Sequence, residues 1–251
     1  MNYALIFVVI TLAFMRKWFI VITLSLAVIA VIVFFFIKNG GDLSHMIGKD
    51  ISEGVIEYDI TYPKINPNSM MLQGMPNKAY LRFKNNDMVN DMSGMMGLIS
   101  IVYIAKQSPQ SVMQTLTLIN KKYASYISLE EMNKINGDYV TKIEKGKNTK
   151  EIAGYKCKEA LVTLYNGSQV NVFYTKDIAI KNPNWSNPYN QIEGVLMDFQ
   201  MERYGLIMHL KAKQVTAQPI DDSAFTITDE YQKVSFAELD KMLMELNPSG
   251  D

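Results

Sequence analysis

The chain's only cysteine, Cys157, stands between Lys156 and Lys158 in the stretch IAGYKCKEALVTLYNGSQVNVFYTKDI, residues 152–178. Two flanking ammonium groups favour a thiolate, and a thiolate is a nucleophile. Covalent catalysis also needs a base to take up and return the proton, most often a histidine. There are two histidines. His45 lies ahead of the patterned part of the chain, and His209 falls on the polar side of an alternating stretch, between Met208 and Leu210. Cys157 alternates inward with Tyr155, as small strand residues do. It is therefore expected to be a packing residue, and the chain is expected not to be an enzyme.

Other chemistries find less support. A zinc site wants three or four Cys, His or carboxylate ligands at set spacings, and neither HExxH nor paired CxxC occurs. The G-x-S-x-G elbow, the Walker loop and the dinucleotide glycine turn are missing too. NNDMVND, residues 85–91, is rich in oxygen atoms but lacks the spacing and closing glutamate of a calcium loop, so it reads as a turn. Asp221-Asp222 reads as a turn before Phe225. No cofactor and no metal are expected. Lys plus Arg number 25 and Asp plus Glu 25, with no basic stripe, which argues against a nucleic-acid partner. A lone cysteine makes no internal disulfide, so the fold must rest on its core.

The elements that would position these residues begin with a membrane segment. Residues 18–37, WFIVITLSLAVIAVIVFFFI, are uncharged and long enough as a helix to cross a bilayer core of roughly 30 Å. Arg16 and Lys17 precede the span, so the positive-inside rule puts the N-terminus in the cytoplasm and the C-terminal part outside. The run ends in VFFFIKNGG, a poor signal-peptidase site, and is expected to remain as a signal anchor. Residues 1–17 form a short N-terminal segment in which Met15-Arg16-Lys17 reads as a start of its own; the alternative is a short additional apolar arm. Residues 38–52 are a polar, glycine-containing tether, and 53–247 the exported domain.

Within that domain the pattern has period two. Ile56, Tyr58, Ile60 and Tyr62 alternate with Glu57, Asp59 and Thr61, and Leu81 and Phe83 alternate with Arg82 and Lys84. Val195, Met197, Phe199 and Met201 alternate with Asp198, Gln200 and Glu202. After a turn at Tyr204-Gly205, Leu206, Met208, Leu210 and Ala212 alternate with His209, Lys211 and Lys213. Asn166-Gly167 predicts a type I′ hairpin turn. Further strands are expected at 98–105, 112–119, 122–127 and 139–145. Short connections predict an antiparallel sheet with one wet and one dry face. Two helices carry capping-box spacing, Ser128 with Glu131 and Ser235 with Glu238, each with a hydrophobic staple, Ile127 to Met132 and Val234 to Leu239. Methionines crowd the loop regions as Met70, Met71, Met75, Met88, Met92, Met95 and Met96, and flexible thioethers suit surfaces that adapt to apolar partners.

EIAGYKCKEALVTL, VNVFYTKDI, IEGVLMDFQMERYGLIMHLKAKQV and DDSAFTITDEY together resemble an uncharacterised bacterial envelope-domain family related to the lipoprotein-carrier-like half-barrels. Gly154, Tyr155, Cys157, Tyr174, Thr175 and Asp177 match its hairpin and following strand. Phe225 and Tyr231 match its ending, where Thr228 replaces the usual proline. The resemblance spans about residues 53–233. It implies an α+β, mainly β fold: a curved antiparallel sheet or half-barrel with plugging helices, here preceded by one transmembrane helix. The expected function is a non-catalytic binding domain for an apolar ligand, a lipid or a lipoprotein acyl chain. It would be held in the bacterial inner membrane by one span and face the periplasm. Its ligand would meet Ile56, Tyr58, Leu81, Phe83, Met197, Phe199, Met208 and Leu210 on the dry face. The alternative is a structural or protein-interaction module of an envelope complex.

Overall fold

A computed structural model describes residues 51–246, apart from Asp138 and the side chain of Met96. The expected span at 18–37, the segments 1–17 and 38–50, and His45 lie outside the described residues. Among those described, no helix is long and apolar enough to cross a membrane.

Twelve strands form one sheet: β1 (Glu53–Thr61), β2 (Lys78–Lys84), β3 (Asp87–Gly94), β4 (Ile99–Gln107), β5 (Gln110–Leu118), β6 (Lys121–Ile127), β7 (Val140–Ile152), β8 (Tyr155–Leu164), β9 (Gln169–Thr175), β10 (Val195–Arg203), β11 (Leu206–Ala217) and β12 (Gln232–Lys233). Their order is β12-β6-β5-β4-β3-β2-β1-β11-β10-β9-β8-β7. Every pair is antiparallel except β12 with β6. Among the described residues there are two short α-helices, α1 (Leu129–Asn136) and α2 (Phe236–Glu245). Ser128 makes a full capping box with Glu131, and Ser235 accepts from the Glu238 N–H.

The expected fold class is corrected. The domain is one large open sheet, with no pairing between its end strands β12 and β7, and its helices do not plug it. Met132 of α1 packs on Val112 and Ile127, and Leu239 and Leu243 of α2 pack on Leu116. Both helices thus sit at the β5–β6 margin. The long cover is irregular chain: residues 176–194, between β9 and β10, bring Ile178, Ile180, Tyr189 and Ile192 into the main core. Tyr103 Oη on β4 donates to the Ser186 carbonyl, and the Lys181 N–H donates to Asn86 Oδ1 in the β2–β3 turn. This segment therefore reaches from β9 to β4. Asn184 holds it in shape, its amide donating to the carbonyls of Ile192 and Gly194, both at 2.8 Å. The opposite face is not simply wet either, because Ile220 and Phe225 cover Val89, Ile104 and Met113.

The sheet must curl. β6 and β7 stand ten positions apart in the strand order, which in a flat sheet would be about 48 Å. The chain joining them is residues 128–139, of which α1 takes eight, and it reaches about 30 Å at most. Arg203 of β10 touching the end of α1 fits that curl: Nη1 donates to the Ile135 carbonyl at 3.1 Å and Nη2 to Asn136 Oδ1 at 2.7 Å. The long outer strand β7 carries Lys142, Glu144, Lys145, Lys147, Lys150 and Glu151. Charge along a free edge opposes pairing with another chain.

Local turn chemistry differs from the sequence reading at two places. Asn166-Gly167 is not a two-residue I′ turn; only Gly167 has positive φ, and Asn166 Oδ1 accepts from the Ser168 N–H and hydroxyl in a longer loop, 165–168. In 85–91 only Asn85 and Asn86 form the turn, and from Asp87 the chain is already β3.

Candidate functional site

All eight residues expected to meet a ligand fall in one buried cluster. Ile56 pairs with Leu81, Phe83 with Met88, and Phe199 with Leu210. The rings of Tyr58 and Phe199 meet edge to face at 6.0 Å, and Tyr189 meets Phe199 in the same way at 6.0 Å. The Tyr58 hydroxyl donates to the Leu196 carbonyl at 2.9 Å, and burial pushes its phenol well above the ordinary range. Ile56, Phe83 and Met197 are completely closed from solvent. None of the eight lines either of the two open clefts described below.

Cys157 belongs to the same core, with no exposed surface, and its thiol donates to the Tyr155 carbonyl at 3.4 Å. Burial pushes its pKa up to about 12, overriding the nearby Lys150. Such a thiol stays protonated at neutral pH, where it is a poor nucleophile.

Asp198 was expected on the wet face but is buried. A bulge between Leu196 and Asp198 breaks the two-residue alternation, and Val195 to Phe199 are all inside. Its carboxylate meets His209 Nε2 at 2.6 Å and Lys150 Nζ at 3.0 Å. Burial alone would raise its pKa, but these two partners outweigh it and hold the carboxyl below its usual range. Lys150 also lies over the Phe173 ring, 5.1 Å from its centre. The His209 contact is a diagonal neighbour across the β10–β11 hairpin, as antiparallel geometry allows. Lys150 comes from β7, distant in sequence, and no pattern announced it. The carboxylate is satisfied by these two partners, and among the described residues no cluster of three or more acidic, His or Cys side chains could hold a metal.

An open cleft of about 720 Å³ lies between α1, α2 and the β10–β11 turn. Its apolar walls include Tyr139, Tyr165, Phe236 and Met244, and its charged lining includes Glu202, Arg203 and Asp240. Tyr165 is 56 % exposed and Met244 55 %. The Tyr165 hydroxyl donates to Glu202 Oε2 at 3.4 Å. Arg203, by bonding the last turn of α1, places a cation where the helix dipole favours one. Asp240 is pushed up by burial, against the pull of Arg203. Tyr204, in the left-handed turn, is fixed by a 2.5 Å bond from Gln114 Nε2. A second cleft, of about 510 Å³, is lined by Lys64, Ile65, Asn66, Ser69, Met71, Gly205 and Ile207. Sequence reading missed the larger cleft because its walls come from five separate stretches of chain.

No family model matches the chain, and no curated protein matches it significantly. One similar solved structure is described as "Structure of PNGF-II in C2 space group". It is 16 % identical, the match covers 77 % of this chain and 33 % of that one, and the TM-score is 0.49. This chain therefore spans about a third of that protein's length, and a likeness so slight carries nothing about its site.

Proposed function

We propose that the chain is a non-catalytic binding module of a bacterial cell envelope, and that it takes an amphipathic, lipid-like ligand at the cleft between α1, α2 and the β10–β11 turn. The observation that carries this reading is the contrast between two surfaces. The dry face expected to hold an acyl chain is filled by its own side chains and the 176–194 segment, whereas the cleft is open, aromatic-walled and of ligand size. Ile135, Tyr139, Phe236 and Met244 offer apolar contact, and Arg203 with Glu202 and Asp240 offers polar groups at one side. Each ligand methylene removed from water there contributes about 0.8 kcal/mol. Placement outside the cytoplasm, tethered at the inner membrane, is supported by the apolar run 18–37 with Arg16 and Lys17 ahead of it.

The test is titration of a dansylated fatty acid into the full chain and into Tyr165→Ala, whose side chain is exposed and so expendable for folding. Binding by the parent, weakened about tenfold in the variant, is the expected result. If the parent neither binds the probe nor carries lipid when purified, the reading fails. The structural or interaction module then takes its place.

A further inference from the structure

Five hairpin connections lie at one end of the sheet: residues 62–77, 95–98, 119–120, 165–168 and 204–205. The first three are neighbours, because β1 to β6 pair in sequence order. They present Met70 at 81 % exposure, Met95 at 47 %, Leu98 at 44 % and Ile119 at 68 %. These tips are joined by backbone: the Ile119 N–H donates to the Leu98 carbonyl and the Met95 N–H to the Gly74 carbonyl. Met95 and Ile119 hold left-handed backbone, with φ of 47° and 58°. A β-branched residue rarely adopts that conformation, and here it points an isoleucine into solvent.

The connections themselves carry little charge, and what they carry is positive. Across all five connections the only charged side chain is Lys64, and the strand leaving Ile119 begins with Lys121 and Lys122. Lys64 and Lys121 are exposed, while Lys122 is held by Glu230 at 2.7 Å. The remaining loop residues carry no charge, and Asn66, Asn68, Asn77 and Asn120 are among them. These loops hold no carboxylate of their own, and Glu230, at the rim, is paired with Lys122. Ile51 and the start of β1 stand at the opposite end, because Glu53 pairs with Lys84 beside the β2–β3 turn. That is about 30 Å away along the strand.

We infer that this end of the sheet seats on an anionic lipid surface, with Met70, Met95, Leu98 and Ile119 entering the headgroup boundary and Lys64 and Lys121 meeting the phosphates. Apolar tips flanked by cations are the combination that such surfaces retain. The inference is independent of the cleft, since the Tyr165→Ala variant leaves these tips untouched.

The test uses the full chain in phosphatidylcholine nanodiscs, so that the apolar run 18–37 already has a lipid environment. An environment-sensitive fluorophore is placed at Ile119→Cys, or at Tyr126→Cys, a side chain 60 % exposed near the other end of β6. The buried Cys157 does not compete for the label. Added phosphatidylglycerol vesicles should shift the Ile119→Cys emission to the blue and leave Tyr126→Cys unchanged. Lys64→Gln with Lys121→Gln should raise the lipid concentration at half-effect about 25-fold, at about fivefold per lysine. No shift overturns the inference, and so does an equal shift at both labels. An equal response to phosphatidylcholine vesicles removes the role of charge and overturns it. A shift that follows protein concentration without vesicles assigns the patch to a second copy of the chain, which also overturns it.

Discussion

Truncation of Tyr189 probes whether the irregular segment 176–194 is part of the core. Tyr189 is wholly closed from solvent, with the Phe199 and Tyr139 rings edge-on at 6.0 and 6.4 Å. Its hydroxyl donates to the Gln200 carbonyl. Replacing a buried aromatic by alanine costs about 3–5 kcal/mol, from lost transfer energy and the cavity left behind. Tyr189→Phe keeps the ring and loses only the hydrogen bond, about 0.5–1.5 kcal/mol, or somewhat more if the carbonyl stays unpartnered. For a domain of this size each kcal/mol moves Tm by about 2–4 °C, so Tyr189→Ala should melt about 6–20 °C early. Asn190→Ala, at the exposed next position, should stay within about 0.5 kcal/mol of the parent. Calorimetry and urea unfolding followed by circular dichroism measure all three. A Tyr189→Ala cost under about 1 kcal/mol would refute the reasoning, because the aromatic contacts would then contribute little. The face bearing Met197 and Phe199 would in that case be open to a ligand.

Three more outcomes follow from the same geometry. Cys157→Ala should cost about 1–2 kcal/mol as a small core truncation, and the native thiol should resist a disulfide reagent until the chain unfolds. Asp198 has its pKa depressed in the fold, so its stabilising contribution is complete above the unfolded value near 3.9 and is lost as pH falls through the folded value. Urea midpoints from about pH 5 down to about pH 2 should therefore fall less steeply for Asp198→Asn than for the parent, and identical slopes would show that the cluster with His209 and Lys150 carries no linkage. A reporter fused after Asp251 should be active only outside the cytoplasm, and cytoplasmic activity would reverse the proposed placement.

Much of the scaffold was legible because it obeys a single period. The alternating residues of β1, β2 and β11 point as the pattern requires, and the expected strands at 98–105, 112–119 and 122–127 fall within a residue or two of β4, β5 and β6. The caps at Ser128 and Ser235 were readable because capping is local chemistry over four residues. What stayed hidden has no period. The 176–194 segment carries its apolar residues at irregular steps between prolines and asparagines, so nothing in it resembles the cover of a sheet. Without that cover in view, the concave face looked available for helices. The bulge at Met197 turned the polar-side Asp198 inward, and only the three-dimensional arrival of Lys150 explains how the charge is tolerated. The cleft was invisible for the same reason, since Tyr139, Tyr165, Arg203 and Phe236 meet only once the sheet has curled.

Mapping where an acyl ligand lies tests the central claim most directly. A fatty acid bearing a photoreactive diazirine at its chain end, irradiated with the full chain and followed by peptide mass mapping, reports the residues it touches. Adducts on peptides holding Tyr165, Phe236 or Met244 are the expected result, with competition by unlabelled fatty acid. Adducts on the peptide holding Met197 and Phe199, or no competable adduct anywhere, would contradict a ligand site at the cleft.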